Sequence, residues 1–216
     1  MPTGWTILDS HGDAGEFHAR TPEPVGSITF HSVSTPTLVL GSSQPLADVD
    51  HEVAGALHIE VVQRRSGGGA VMLVPGEFVW VDVVVPVGDP RWSDDVGAAM
   101  WWVGQWWADA LATLGVSGRV HTGPLIRDAW SSQVCWTGVG AGEVMSTDGK
   151  LVGISQRRTR EAARFQSMCH LRWRPELVAA LIASPRPTAA DLAARAASVP
   201  ATADVIRAAL LATLPA

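Results

Sequence analysis

Arg64-Arg65-Ser66-Gly67-Gly68-Gly69-Ala70 is the stretch on which the fold of this chain turns. An apolar run, Ile59 to Gln63, leads into it and a second, Ala70 to Val74, leaves it, so the glycines join two expected strands. Three consecutive glycines let the backbone approach a ligand closely and turn several N–H groups toward it, an arrangement suited to anionic oxygens. The paired arginines add fork-shaped donors for carboxylate or phosphate. No Lys-Ser or Lys-Thr follows, which excludes a P-loop. On the glycines alone, a flexible hairpin loop with incidental arginines is the simpler alternative.

Working outward, short apolar runs broken by Gly and Pro between Trp5 and Leu40, such as Ser27 to Phe30 and Thr37 to Leu40, suit strands. Asp48 to Leu57 reads as a short helix. Phe78 to Pro86 is the clearest strand and is expected to be central, with Phe78, Trp80 and Asp82 on one face and Val79, Val81 and Val83 on the other. Ser93 to Leu114 reads as a helix with Ser93 as N-cap, acidic Asp94 and Asp95 in its first turn, and Gly115 at its end. Its Trp101, Trp102, Trp106 and Trp107 suit a wide packing face against a sheet.

Thr122 to Trp136 is loop-like. Glu143 to Thr147 and Lys150 to Ser155 form an expected hairpin turning at Asp148-Gly149. A further strand is expected over Ala163 to Trp173. Pro175 to Ala216 is Ala-rich and helical in three pieces bounded by Pro185, Pro187 and Pro200. The expected organisation is a main domain over residues 1–174 with a helical segment, 175–216, packed on or appended to it.

Composition narrows the function classes. The chain has 216 residues, 47% hydrophobic and 17% charged, enough for one large core. A net charge of -5 opposes non-specific nucleic-acid binding. No apolar run approaches about 18 residues, and Met1 to Gly12 lacks the basic and apolar regions of an export signal, so a cytoplasmic location with no membrane contact is expected. Cys135 and Cys169 have no metal-ligand spacing and are expected as reduced thiols, with no metal site. Lys150 is the single lysine among 16 basic residues. Coding bias toward arginine explains such a ratio on a surface. Where a compact ammonium is required, however, a guanidinium is not equivalent.

Lys150 opens the segment Lys150-Leu151-Val152-Gly153-Ile154-Ser155-Gln156-Arg157, just after a tight turn, from which it could reach into a cleft or stand as an exposed turn lysine. The glycine loop, this lysine strand and the earlier Pro36-Thr37-Leu38-Val39-Leu40-Gly41-Ser42-Ser43-Gln44 together resemble, in order, the lipoate and octanoate protein ligase/transferase family of the biotin/lipoate A/B protein ligase superfamily. The resemblance runs from about residue 30 to about residue 172 and rests on three ordered motifs. It implies an α+β fold of mixed, mostly antiparallel sheets flanked by helices, the class II synthetase-like catalytic domain, and a tunnel for an eight-carbon acyl chain. It also implies transfer of a lipoyl or octanoyl group to a lysine of a lipoyl-domain protein.

Two chemistries are implied. A ligase uses ATP and Mg2+ to form an acyl adenylate from free lipoate or octanoate. A transferase needs no cofactor and takes the acyl group from a carrier protein onto a cysteine. Carried over by position, the substrate-binding residues are Arg64, Arg65, Ser66, Gly67, Gly68, Gly69, Ala70, Gly153 and Ser155, with Lys150 catalytic. Cys135, in Ser132-Gln133-Val134-Cys135-Trp136, precedes the lysine strand as a nucleophilic cysteine loop does in one transferase branch. The Asn-Asp pair of the ligase branch is missing from that region. After Gly-Gly-Gly-Ala-Val the family usually continues with His-Asp and then Gly-Asn, whereas here Met72-Leu73-Val74-Pro75-Gly76-Glu77 follows, with Leu73 and Val74 in place of the polar pair, which puts ATP use in question. A non-catalytic paralogue that binds an acyl or acyl-nucleotide ligand or a protein partner is the alternative. Biotin ligation is disfavoured because the Gly-Arg-rich loop of those enzymes is absent. His121 and His170 lack evident partners and read as structural, and Asp82 either faces the cleft or caps a buried polar cluster.

Overall fold

The computed structural model describes residues 4–215. In chain order the elements are β1 (Thr6–Gly12), α1 (Ala14–Ala19), β2 (Ser27–Val33), β3 (Thr37–Leu40), α2 (His51–Ala56), β4 (Glu60–Gln63), β5 (Val71–Leu73), β6 (Phe78–Pro86), α3 (Trp101–Thr113), β7 (Arg119–Val120), β8 (Val144–Ser146), β9 (Gly149–Arg158), β10 (Ala162–His170), α4 (Pro175–Leu181), α5 (Ala189–Ala193) and α6 (Ala203–Ala212). The strands build a seven-stranded sheet of order β1-β2-β6-β10-β9-β8-β7 and a three-stranded sheet of order β4-β3-β5. Only β1 with β2 and β3 with β4 run parallel, so the mixed, mostly antiparallel α+β architecture is present.

β6 pairs on both sides, with β2 and β10, and its alternation divides the interior into two cores. Val79, Val81, Val83 and Val85 face α3, where Val103, Trp106, Trp107 and Leu111 are fully buried against them. Phe78 and Trp80 face the other way, into a second core roofed by the small sheet. Burying each such side chain is worth roughly 1.5–3 kcal/mol, so the alternation fixes the register of the strand. Residues after 174 contribute to both cores: Leu181, Leu192 and Ala196 to the second, Val199, Ile206 and Leu210 to the first.

Two expectations need correction. The long helix begins at Trp101 after a 3-10 turn over Ala98–Met100, not at Ser93. Before that turn Asp95 Oδ1 accepts the N–H groups of Gly97 and Ala98, while the Ser93 carbonyl is taken by Arg158. The glycine loop is also not a hairpin. β4 and β5 pair with opposite edges of β3, so the loop crosses over the end of that strand. The crossing brings it against the middle of the large sheet.

Candidate active site

Three segments meet where the glycine loop crosses. The loop lies beside the segment ending at Cys135: Ala70 N–H donates to the Gln133 carbonyl at 2.8 Å, and Cys135 N–H donates to the Ala70 carbonyl at 3.0 Å. A side chain at position 69 is excluded, because its Cβ would lie 2.6 Å from the Val134 amide nitrogen. Gly68 adopts a φ of +101°, and a Cβ there would lie 3.3 Å from Cys135 Sγ. Its conformation favours glycine, and the small residue leaves room for the thiol. Among the described residues, no group accepts from the amides of Gly67, Gly68 or Gly69.

Lys150 enters from β9. Its backbone is held by the C-terminal segment, with Lys150 N–H donating to the Arg195 carbonyl at 3.0 Å and Ala197 N–H donating back at 3.0 Å. The side chain is only 1% exposed. Its Nζ donates to Glu143 Oε2 at 2.8 Å and to the Cys135 carbonyl at 3.1 Å, and lies 5.5 Å from the Trp136 ring centroid. An ammonium has three donors, so one remains. Glu143 is equally well held, accepting from Gly140 N–H at 2.6 Å and Ile154 N–H at 3.3 Å. Such a pair survives burial because each charge is held by the other and by backbone groups beside it. The lysine is therefore not an exposed turn residue.

Two cavities adjoin at this junction and share Cys135, Lys150, Ile154 and Ser155. One is a narrow, mostly apolar slot of about 60 Å³ between the two sheets, bounded by Val39, Val71, Leu73, Trp80, Trp136 and Met168. Its volume is small, and Met168, with three rotatable bonds, is the lining residue best able to yield to a chain. The other is an open polar cleft of about 520 Å³ lined by Gly67, Gly68, Gly69, Arg127, Asp128 and Glu143. Apolar slot, thiol, ammonium and free amides thus converge on one point. A carbonyl carbon placed there would meet a nucleophile and have donors around its oxygen.

The other sequence-derived candidates divide. Ser155 lines both cavities and its Oγ shares a 3.2 Å hydrogen bond with Ser66 Oγ; Gly153 lines the slot. Ser66 and Ala70 sit behind the cavity walls, supporting them without lining them. Arg64 borders the slot, but its guanidinium donates to the carbonyls of Val39, Gly67 and Gly69, so it shapes the loop from within. Arg65 is a correction. The alternation of the chain turns it outward, exposed, toward Thr21 Oγ1 at 3.3 Å, and it lines neither cavity.

Cys169 is fully buried, its thiol pushed up to about 12 by desolvation, and takes no part. His170 packs against Trp136 and Trp173, and burial lowers it to about 3. His121 Nε2 is engaged by the Pro124 carbonyl. Asp82 belongs to a buried polar cluster with His31, Arg164 and Trp80. Burial alone would raise its carboxyl, yet His31 and Arg164 together hold it below the usual range. The residues that sequence patterns did not mark are Glu143 and His18. The one available signal for Glu143 was indirect, since a unique buried lysine requires a carboxylate.

The profile of the lipoyl protein ligase A/B catalytic domain matches residues 16–210 of the chain. No curated protein sequence matches it. Among solved structures, lipoate-protein ligase A bound with ATP is similar with a TM-score of 0.75 and 18% identity, over 99% of this chain and 84% of that one. A bi-partite lipoate protein ligase from Thermoplasma acidophilum, analysed with its E2 lipoyl domain, gives 0.73 and 16% over 95% and 80%. Protein Ta0514 of T. acidophilum, with lipoic acid bound, gives 0.70 and 16% over 99% and 84%. At these identities the likeness is one of fold.

Proposed function

This chain belongs to the lipoyl protein ligase A/B catalytic domain family, and from that premise we propose that it transfers a lipoyl or octanoyl group to a lysine of a lipoyl-domain protein through a thioester on Cys135. The observation that carries this reading is the position of the Cys135 thiol, at the junction of the apolar slot and the polar cleft and against Gly68. The slot takes the acyl chain. The sulfur of Cys135 attacks the carbonyl carbon of a carrier-bound thioester, forming a new C–S bond. The carrier sulfur then leaves and takes up a proton. In the second half, the amine of the acceptor lysine attacks the same carbon, the C–S bond to Cys135 breaks, and the amine proton returns to the thiol. In both halves the negative oxygen meets the amides of the glycine loop and the remaining donor of Lys150. Glu143 holds that ammonium in place.

The ligase form, with ATP and Mg2+, is the second reading, favoured by the likeness to the ATP-bound lipoate-protein ligase A. The residues fit it less well. Lys150, the natural phosphate holder, is neutralised by Glu143 and spends another donor on the Cys135 carbonyl. Leu73 and Val74, in place of the family's usual polar pair, are buried and half-buried in the core and offer nothing to a nucleotide. The test is acceptor labelling. A lipoyl domain is incubated with the protein and either octanoyl carrier protein or octanoate with ATP and Mg2+. Labelling from the carrier alone is expected; labelling only with ATP would select the ligase, and none from either donor would select the non-catalytic alternative.

A further inference from the structure

The far end of the slot is closed by an imidazole and not by hydrocarbon. The mouth lies on β9, where Lys150, Ile154 and Ser155 line both cavities. From there the floor crosses β10 at Gln166 and Met168 and reaches Trp80 on β6. Ser155 faces Gln166 across the β9–β10 pair, and Met168 faces Trp80 across the β10–β6 pair. The path therefore covers two strand spacings, roughly 10 Å, comparable with a medium-length acyl chain in extended form.

At its end, His18 from α1 stacks on Trp80 with ring centroids 4.7 Å apart and planes 22° apart. The indole is itself immobilised: Trp80 Nε1 donates to Asp82 at 2.8 Å, and Phe17 and His31 pack on it at 5.9 and 4.6 Å. His18 Nδ1 lies 3.2 Å from Gln166 Nε2, which fixes the ring across the slot. Desolvation lowers the imidazole to about 3, so it is a neutral wall. Asp82 and Arg164, the ion pair behind this wall, border a second groove of about 460 Å³. That groove shares no lining residue with the slot, so the room a longer chain could gain is the volume of the His18 ring itself.

We propose that His18 is a specificity-determining residue that sets the longest acyl chain the slot accepts, by closing it against Trp80. This rests on the acyl-transfer reading and names the feature that selects its substrate. A longer chain enters only by displacing a ring that is both stacked and hydrogen-bonded, and doing so strands Gln166 without its partner.

The test measures equilibrium binding of hexanoate, octanoate, decanoate and dodecanoate to the wild-type chain, His18→Ala and His18→Phe, by calorimetry, with transfer from the matching carrier thioesters followed in parallel. In the wild type, affinity is expected to rise about fourfold per methylene up to a limit and then fall. In His18→Ala the limit moves to longer chains, so the acid two methylenes beyond the wild-type limit gains roughly tenfold relative to the acid at that limit. His18→Phe refills the space and restores the original limit. An identical limit in all three proteins, or an even loss of affinity across every chain in His18→Ala, overturns the proposal. A shifted limit without transfer by any protein would leave His18 in its role and remove the transfer reading. Transfer with an unshifted limit would do the reverse, and neither binding nor transfer by the wild type would remove both.

Discussion

On one face of β6, Val79, Val81, Val83 and Val85 meet the tryptophans of α3, whose indole N–H groups are taken up by Ser167 Oγ (Trp107) and the Leu210 carbonyl (Trp106). On the other face, one residue along, Trp80 and Asp82 meet His31, Arg164 and His18, and across β10 and β9 the same surface ends at Ser155 and Lys150. The first face is shaped by volume alone. The second buries two ion pairs, Lys150–Glu143 and Arg164–Asp82, at every position of which a partner is required. Buried pairs of this kind add little net stability over apolar packing but are severe to break. A protein that only needed to fold would gain nothing from the second face; one that handles a carboxyl derivative gains donors fixed in a water-poor site.

The largest effect expected from this contrast is at Lys150. Lys150→Ala strands Glu143 in the interior and should lower stability by about 3–5 kcal/mol while stopping transfer, as denaturant midpoints and acceptor labelling would show. Lys150→Arg forces a larger head into a cage that is 1% exposed, adding about 1–3 kcal/mol of overpacking on top of lost activity. On the packing face, Leu111→Ala should lower stability by about 2–5 kcal/mol with the transfer rate per folded molecule unchanged. A fall in that rate would break the division of labour between the two faces.

The site face also carries the pH dependence. His18 and His170 have folded values of about 3 against 6.5 for the free side chain, so the unfolded chain binds more protons between those limits. Their stabilising contribution is complete above 6.5 and is lost as pH falls toward 3, at up to roughly 1.4 kcal/mol per pH unit for each ring. Asp82, held below the usual carboxylate range, adds a further loss only in more acidic solution, as pH falls through its folded value. Unfolding measured from neutral to mildly acidic pH should show this slope, and His170→Phe should remove the part due to one ring. The smallest effect is expected at the exposed pair Arg207–Asp9, where Arg207→Gln should change stability by less than about 1 kcal/mol.

Much of this arrangement was legible in the sequence because it is local. Strand alternation over residues 78–86, the Asp148-Gly149 turn and the glycine loop each announce themselves within a few residues, and the order of three motifs is enough to identify the fold. What remained hidden depends on pairing between distant segments. Whether Arg64 or Arg65 points inward follows from the register of β4 against β3, which no hydrophobic pattern in four residues fixes. Glu143 and His18 carry no motif, and their roles arise only when β8, α1 and β10 come together around Lys150 and Gln166. Ser93 is a good cap by residue type, but residues 94–97 are bends and turns in the structure, with Asp95 Oδ1 accepting from Gly97 and Ala98, and α3 starts only at Trp101 after a 3-10 turn.

The most direct test of the account is the mass of the protein itself after brief exposure to octanoyl carrier protein without an acceptor. The wild-type chain is expected to gain one octanoyl group, which peptide mapping places on Cys135 and hydroxylamine removes, and which Cys135→Ala never acquires. An unmodified wild-type chain that nonetheless labels a lipoyl domain, or a Cys135→Ala variant that transfers at the wild-type rate, would contradict the account.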